Sequence, residues 1–182
     1  MVNKQTYATI FKEKNSYNSD INCDNYKYVI NELLKINTFN SLFDIGSGRG
    51  NLISSIRKIF PNIKISTSDI QKFHDFDEVF YQIDLYDVST LNQIDKHDII
   101  TCTDVLEHIE EKYINNILKK ISEKCEIAIF TIANHNDIIN GVELHLIQKD
   151  EKFWTEILSQ HFKIKNLEIA YNNRLYLITC TV

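Results

Sequence analysis

Three of the chain's four glycines fall between positions 46 and 50, in Asp44-Ile45-Gly46-Ser47-Gly48-Arg49-Gly50. Glycine is placed where the backbone must turn through a left-handed conformation or let another group come close. The segment before the cluster, Ser41-Leu42-Phe43-Asp44-Ile45, is a short apolar run that reads as a buried strand. The segment after it, from Asn51 to Ile59, carries Leu52, Ile53, Ile56 and Ile59 on one face and reads as a helix that Pro61 ends. A strand, a glycine loop and a helix in direct succession open a parallel α/β unit. In such a unit the helix N-terminus presents unpaired N–H groups to whatever the loop holds.

The remainder of the chain continues the pattern. Residues 25–35 have apolar positions at helical spacing. Ile63 to Ser68 reads as a strand ending at Asp69, and Glu78 to Ile83 as a third strand ending at Asp84. Asp98 to Cys102 is a fourth, Tyr113 to Ser122 a helix, Glu126 to Thr131 a fifth strand and Lys152 to Gln160 another helix. Phe162 to Ala170 and Arg174 to Thr181 read as two strands joined across Tyr171-Asn172-Asn173. Asparagine tolerates the positive φ of a tight hairpin, so this pair is expected to be antiparallel. Alternating strands and helices predict a doubly wound, mostly parallel seven-stranded sheet with a C-terminal antiparallel hairpin. Helices on both faces make it a three-layer α/β/α architecture. With 182 residues, a single domain spanning 1–182 is expected. The polar residues 1–24 are read as a lid or arm, with Tyr7, Phe11, Tyr17, Tyr26 and Tyr28 able to cover the site or to pack between helices.

In a doubly wound sheet, ligands bind beyond the carboxyl ends of the strands. The loop departs from the dinucleotide fingerprint, which needs a glycine where Asn51 stands. Asp44-x-Gly46-x-Gly48-x-Gly50 instead resembles motif I of the class I S-adenosylmethionine (SAM)-dependent methyltransferases. Asp69 lies 19 positions after Gly50, Asp84-Leu85 closes the third strand, and Thr103-Asp104-Val105-Leu106-Glu107-His108 follows the fourth. This order is similar to that family over about residues 40 to 170.

The resemblance implies SAM as cofactor, with S-adenosylhomocysteine as product. It places Asp44, Gly46, Ser47, Gly48, Gly50 and Asn51 around the amino acid and ribose parts. Asp69 and Ile70 fall at the ribose hydroxyls, Asp84 and Leu85 at the adenine, and Thr103, Asp104 and His108 under the methionine end. A carboxylate suits a ribose diol because it only accepts hydrogen bonds and can hold two donors at once.

The methyl group of a sulfonium is already activated, so the main task left is to align an acceptor and exclude water. A hydroxyl or ammonium acceptor also needs a base, and His135 and His145, past the fifth strand, are the candidates. His74, His97 and His161 are expected at the surface. Asp104, Glu107 and His108 form a D-x-x-E-H cluster whose offsets would share one helical face. A similar E-x-x-E-H binds divalent metals in some quinone-pathway and small-RNA methyltransferases, while many relatives carry Leu-Glu-His without metal. Asp stands here for the first Glu, and the expectation is pocket support with no metal.

The net charge of −5 and pI near 5.7 argue against a phosphate-dominated nucleic-acid partner. Neither an Asn-Pro-Pro-Tyr motif nor a Pro-Cys pair accompanies Ala133-Asn134-His135-Asn136. A small-molecule acceptor is therefore expected, methylated at oxygen or nitrogen. The alternatives are a nucleic-acid or protein acceptor, or a non-catalytic SAM-binding subunit. Cys23, Cys102, Cys125 and Cys180 show no metal or redox spacing; the last three sit in apolar runs and read as small buried hydrophobes, a usage that suits a reducing compartment. No secretory signal or membrane span is evident, so a cytoplasmic monomer or homodimer is expected.

Overall fold

The computed structural model describes residue 9 and residues 24–182. Tyr7, Phe11, Tyr17 and Cys23 lie outside the described residues, as does most of the expected arm.

Helix α1 (Asp24–Lys35) precedes β1 (Ser41–Ile45), and α2 (Asn51–Ile59) connects β1 to β2 (Lys64–Asp69). Strand β3 (Val79–Gln82) is followed by a 3-10 helix (Val88–Gln93) and β4 (His97–Thr103). A 3-10 turn (Leu106–His108) and α3 (Glu111–Ser122) lead to β5 (Cys125–Ala133). A two-residue pair, β6 (Ile138–Ile139) and β7 (Val142–Glu143), comes before α4 (Glu151–Leu158), β8 (Lys163–Ala170) and β9 (Leu175–Thr181).

The main sheet has seven strands in the order β3-β2-β1-β4-β5-β9-β8. The five strands from β3 to β5 are parallel, and β9 joins β5 antiparallel, with Ala128 opposite Cys180 and Phe130 opposite Ile178. Tyr171, Asn172 and Asn173 all have positive φ and turn β8 into β9, as the two asparagines foretold. Strand order runs one way from β1 to β3 and the other way from β1 to β5. The crevice between the ends of β1 and β4 is therefore the topological switch point.

Both faces of the sheet are covered, which is why its central strands are nearly continuously apolar. On one face Leu42, Ile65, Ile99 and Ile129 pack against Val29 and Leu33 of α1 and Leu52, Ile53 and Ile56 of α2. On the other, Phe43, Ile100, Cys102 and Phe130 pack against Ile114, Ile117, Leu118 and Ile121 of α3 and Trp154 and Leu158 of α4. Cys102, Cys125 and Cys180 are free and buried, in keeping with their reading as hydrophobes.

Alternation is less regular than the sequence pattern implied. Residues 70–78, between β2 and β3, contain no helix, and the β3–β4 connection contains only the 3-10 helix. The second of these is capped by Asp87, whose carboxylate accepts from the Ser89 N–H at 3.1 Å. Among the described residues no helix is long and apolar enough to cross a membrane.

Two of the three histidines expected at the surface are buried. His74 packs its ring 5.3 Å from Phe76 and 6.0 Å from Phe80, and pairs with the Thr67 hydroxyl. His97 opens β4, stacks 5.3 Å from Phe43 and holds the Asp95 carbonyl through Nδ1. Burial lowers the pKa of both. Both imidazoles are buried against aromatic rings, a placement that local sequence does not disclose. His161 remains at the surface and meets Asn115 Oδ1.

Candidate functional site

The site begins where β1 ends. Gly46, Gly48 and Gly50 have φ of 74°, 50° and 75°, all in the left-handed region that glycine enters without a Cβ penalty. Space demands glycine as well. A Cβ on Gly46 would lie 2.3 Å from Val105 Cγ2, and one on Gly50 would lie 2.4 Å from the Phe76 ring. The Gly46 and Ser47 N–H groups donate to the Ser68 carbonyl at 2.9 and 2.8 Å, which fastens the loop to the end of β2. Gly50 is the N-cap of α2 and supplies no side-chain cap. The first turn of α2 thus opens beside the loop, with Asn51 as its first residue.

Asp69 ends β2 and reaches back to the loop. Its Oδ2 accepts from the Gly48 N–H at 2.9 Å and its Oδ1 from the Ile70 N–H at 2.7 Å. A carboxylate offers about four lone-pair positions, so two donors leave capacity for two more. Burial pushes its pKa up to about 6, against the opposing effect of the two N–H groups. Asp44, by contrast, is buried beneath the loop, where Oδ1 accepts from the Thr101 hydroxyl at 2.7 Å. Its pKa rises to about 7, mainly through burial and with the Asp69 charge adding to it. Asp44 therefore ties the end of β1 to β4 just ahead of the loop.

Asp84 sits two residues past β3 and half-buried. It forms a local turn, accepting from the Tyr86 N–H at 3.0 Å. Leu85 is buried with the larger core cluster. Thr103 is the last residue of β4. Asp104 follows with a positive φ of 53°, an uncommon conformation for a residue with a Cβ but one that Asp tolerates. Its Oδ1 accepts from the Thr131 hydroxyl at 3.1 Å, and its N–H donates to the Thr131 carbonyl. This turn carries Val105 onto Gly46.

The D-x-x-E-H cluster does not share one helical face. Asp104 leaves the strand before the 3-10 turn begins, and the turn holds only Leu106, Glu107 and His108. Glu107 is fully buried. Its Oε1 accepts from the Ala133 N–H at 2.8 Å and its Oε2 has no partner. Burial, then the neighbouring Asp104 charge, raise its pKa well above the ordinary carboxylate value.

What the fold adds is His145. The segment past the β6–β7 pair returns to this turn, with Leu146 and Ile147 N–H groups donating to the Glu107 carbonyl at 2.7 and 3.0 Å. His145 Nδ1 meets the His135 carbonyl at 2.6 Å, and His108 Nδ1 meets the Leu144 carbonyl at 3.0 Å. The His108 and His145 rings are 4.7 Å apart and the His135 and His145 rings 5.0 Å. Burial, together with the adjacent His145, lowers the His108 pKa to about 4. The structure thus gathers His108, His135 and His145 on one side of the switch point, while Asp69 and Asp84 stand at the ends of β2 and β3.

Reading the sequence alone missed several contributors. Val105 and Phe76 set the space at the loop and have no local signature. The β6–β7 turn at Asn140-Gly141, with φ of 52° and 77°, does have one, since Asn-Gly is a strong hairpin signal.

Residues 17–165 match a family model described as a methyltransferase domain. No curated protein matches. Among solved structures, the chain resembles an S-adenosylmethionine-dependent methyltransferase from Clostridium acetobutylicum ATCC 824. Identity there is 15%, 98% of each chain is covered and the TM-score is 0.71. A methyltransferase of the same description from Archaeoglobus fulgidus is 14% identical over 97% of this chain and 100% of the other, with a TM-score of 0.71. The magnesium protoporphyrin IX methyltransferase from Synechocystis PCC 6803 with bound SAM is 14% identical over 100% of this chain and 98% of the other, with a TM-score of 0.69.

Proposed function

As the chain belongs to the methyltransferase-domain family, we propose that it holds SAM over the 46–50 loop and passes the methyl group to an oxygen or nitrogen of a small molecule. The observation that carries this reading is the arrangement at the switch point. Three left-handed glycines lie against an Asp69 carboxylate that has acceptor capacity left.

A bound sulfonium supplies an activated methyl group, and the work of the chain is to place and shield it. Gly46, Gly48 and Gly50 let the cofactor approach the backbone, while Ser47 and Asn51 border its amino acid end. Asp69 takes the two ribose hydroxyls, with Ile70 beside it. Asp84 and Leu85 frame the adenine, and Asp84 retains lone pairs beyond the one used by Tyr86. Asp44 fixes the strand below, and Thr103, Asp104 and His108 support the methionine end.

His135 serves as the base in this reading. Its Nδ1 faces the Asn136 carbonyl, so Nε2 is the lone-pair nitrogen able to take a proton from an acceptor. His145 positions it by holding the His135 carbonyl. The acidic net charge favours a small acceptor over nucleic acid. A structural neighbour that methylates magnesium protoporphyrin IX has the same fold.

Calorimetry with SAM tests the premise, and absence of heat at millimolar SAM defeats it. S-adenosylhomocysteine release across a panel of hydroxyl and amino compounds then tests the acceptor class. His135→Ala should lower kcat on acceptors that must lose a proton, with SAM affinity unchanged.

A further inference from the structure

We propose that Glu107, His108 and His145 form a binding site for one first-row divalent cation of the zinc type. This goes beyond the methyl-donor reading and does not depend on it.

One ligand atom from each residue lies within 4.8 Å of the other two. A tetrahedral ion with bonds of about 2.1 Å spaces its ligand atoms about 3.4 Å apart. No pair therefore has to close by more than about 1.4 Å, which side-chain torsions supply. Two imidazoles and one carboxylate suit zinc and its first-row neighbours better than calcium or magnesium, which favour sets made only of oxygen.

The second observation is Glu107 itself. It is fully buried, one oxygen is satisfied by the Ala133 N–H, and Oε2 has no partner. Among the described residues no lysine or arginine pairs with it. An unpartnered carboxylate oxygen in the interior is costly, and an ion is one of the few groups that removes that cost.

The third observation is the setting of the two rings. His108 Nδ1 points to the Leu144 carbonyl and His145 Nδ1 to the His135 carbonyl. An imidazole that donates Nδ1–H to a backbone carbonyl carries its lone pair on Nε2. This outer hydrogen bond is the one that metal-binding histidines generally make. Both rings are oriented in this way before any ion arrives.

The set differs from the contiguous cluster in the sequence. Asp104 is turned away by its left-handed backbone and engages Thr131, and His145 takes its place from 41 positions further along. Three protein ligands leave a coordination position open for water or for an oxygen of the acceptor.

The test titrates Co2+ into the full chain after dialysis against a chelator. One equivalent should bind and give the visible bands of a four- or five-coordinate ion, and Zn2+ should displace it. Glu107→Gln and His145→Gln should each weaken binding at least about 100-fold, beyond the 10–100-fold typical of outer-shell changes. Asp104→Asn and the surface control His161→Gln should leave affinity within about threefold, well under that range. Circular dichroism confirms folding, and the wild-type titration stands alone if a variant fails to fold. No binding by folded wild type, a purely octahedral spectrum, or binding that survives both Glu107→Gln and His145→Gln overturns the proposal. So does equal loss in Asp104→Asn. SAM calorimetry on the same samples reads the donor site separately.

Discussion

Asp44→Asn probes the support beneath the glycine loop. The variant keeps shape and keeps an oxygen to accept from Thr101. It removes a carboxyl whose pKa is about 7 in the fold against 3.8 ordinarily. Because the folded value is the higher one, the fold retains a proton that the unfolded chain releases. Asp44 thus favours the fold at low pH, and that contribution is lost as pH rises from about 4 to about 7. At roughly 1.36 kcal/mol per unit the full loss is ~4 kcal/mol, of which about 2–3 kcal/mol falls between pH 5 and pH 8.

An asparagine does not titrate, so the stability difference between variant and wild type should move by that same about 2–3 kcal/mol in favour of the variant between those two pH values. For a chain of this size each kcal/mol is worth about 2–4 °C in Tm. The gap in Tm should therefore shift by about 5–10 °C, measured on protein free of SAM. Burying the amide N–H2 adds a constant cost of about 1–3 kcal/mol, which drops out of the comparison across pH. Parallel Tm curves for the two proteins would refute the argument, because they would mean that Asp44 is ionised as easily in the fold as out of it.

Other expectations concern the glycine loop with Asp69 and the β6–β7 turn. Asp69→Asn should weaken SAM about 10- to 100-fold by calorimetry, as loss of hydrogen bonds to a charged acceptor costs about 1.5–3 kcal/mol. Gly46→Ala meets both a φ of 74° and the Val105 side chain. It should lower Tm and reduce SAM affinity together. Gly141→Ala meets the same kind of φ with nothing within 4 Å of the new Cβ. Its cost should be confined to backbone strain of about 1–2 kcal/mol, read as a modest drop in Tm with SAM affinity intact. Equal losses in the two glycine variants would count against the role of the Val105 contact.

Local rules carried much of the architecture. The alternation of apolar runs located all seven main-sheet strands to within two residues at each end, because a strand buried on both faces must be apolar throughout. The fifth ran further than expected, to Ala133, since β9 pairs along its whole length. The β2–β3 segment had no helical spacing of its own and formed no helix. Asn172 and Asn173 announced their turn through their tolerance of positive φ. Asn140-Gly141 carries an equally plain turn signal, but the strands it joins are too short for a periodic one, and the turn was missed.

The glycine loop, Asp69 and the parallel α/β plan were determined by the sequence itself. Each depends on backbone conformation and apolar period over a few neighbouring residues, and those are local properties. The burial of His74 and His97, the burial of Asp44 against Thr101 and the meeting of Glu107, His108 and His145 were decided by tertiary structure. Glu107 and His145 are brought together where the segment past β7 returns and the Leu146 and Ile147 N–H groups donate to the Glu107 carbonyl. Desolvation and contact between residues 38 positions apart arise from the packed whole, and no window of the sequence contains both partners.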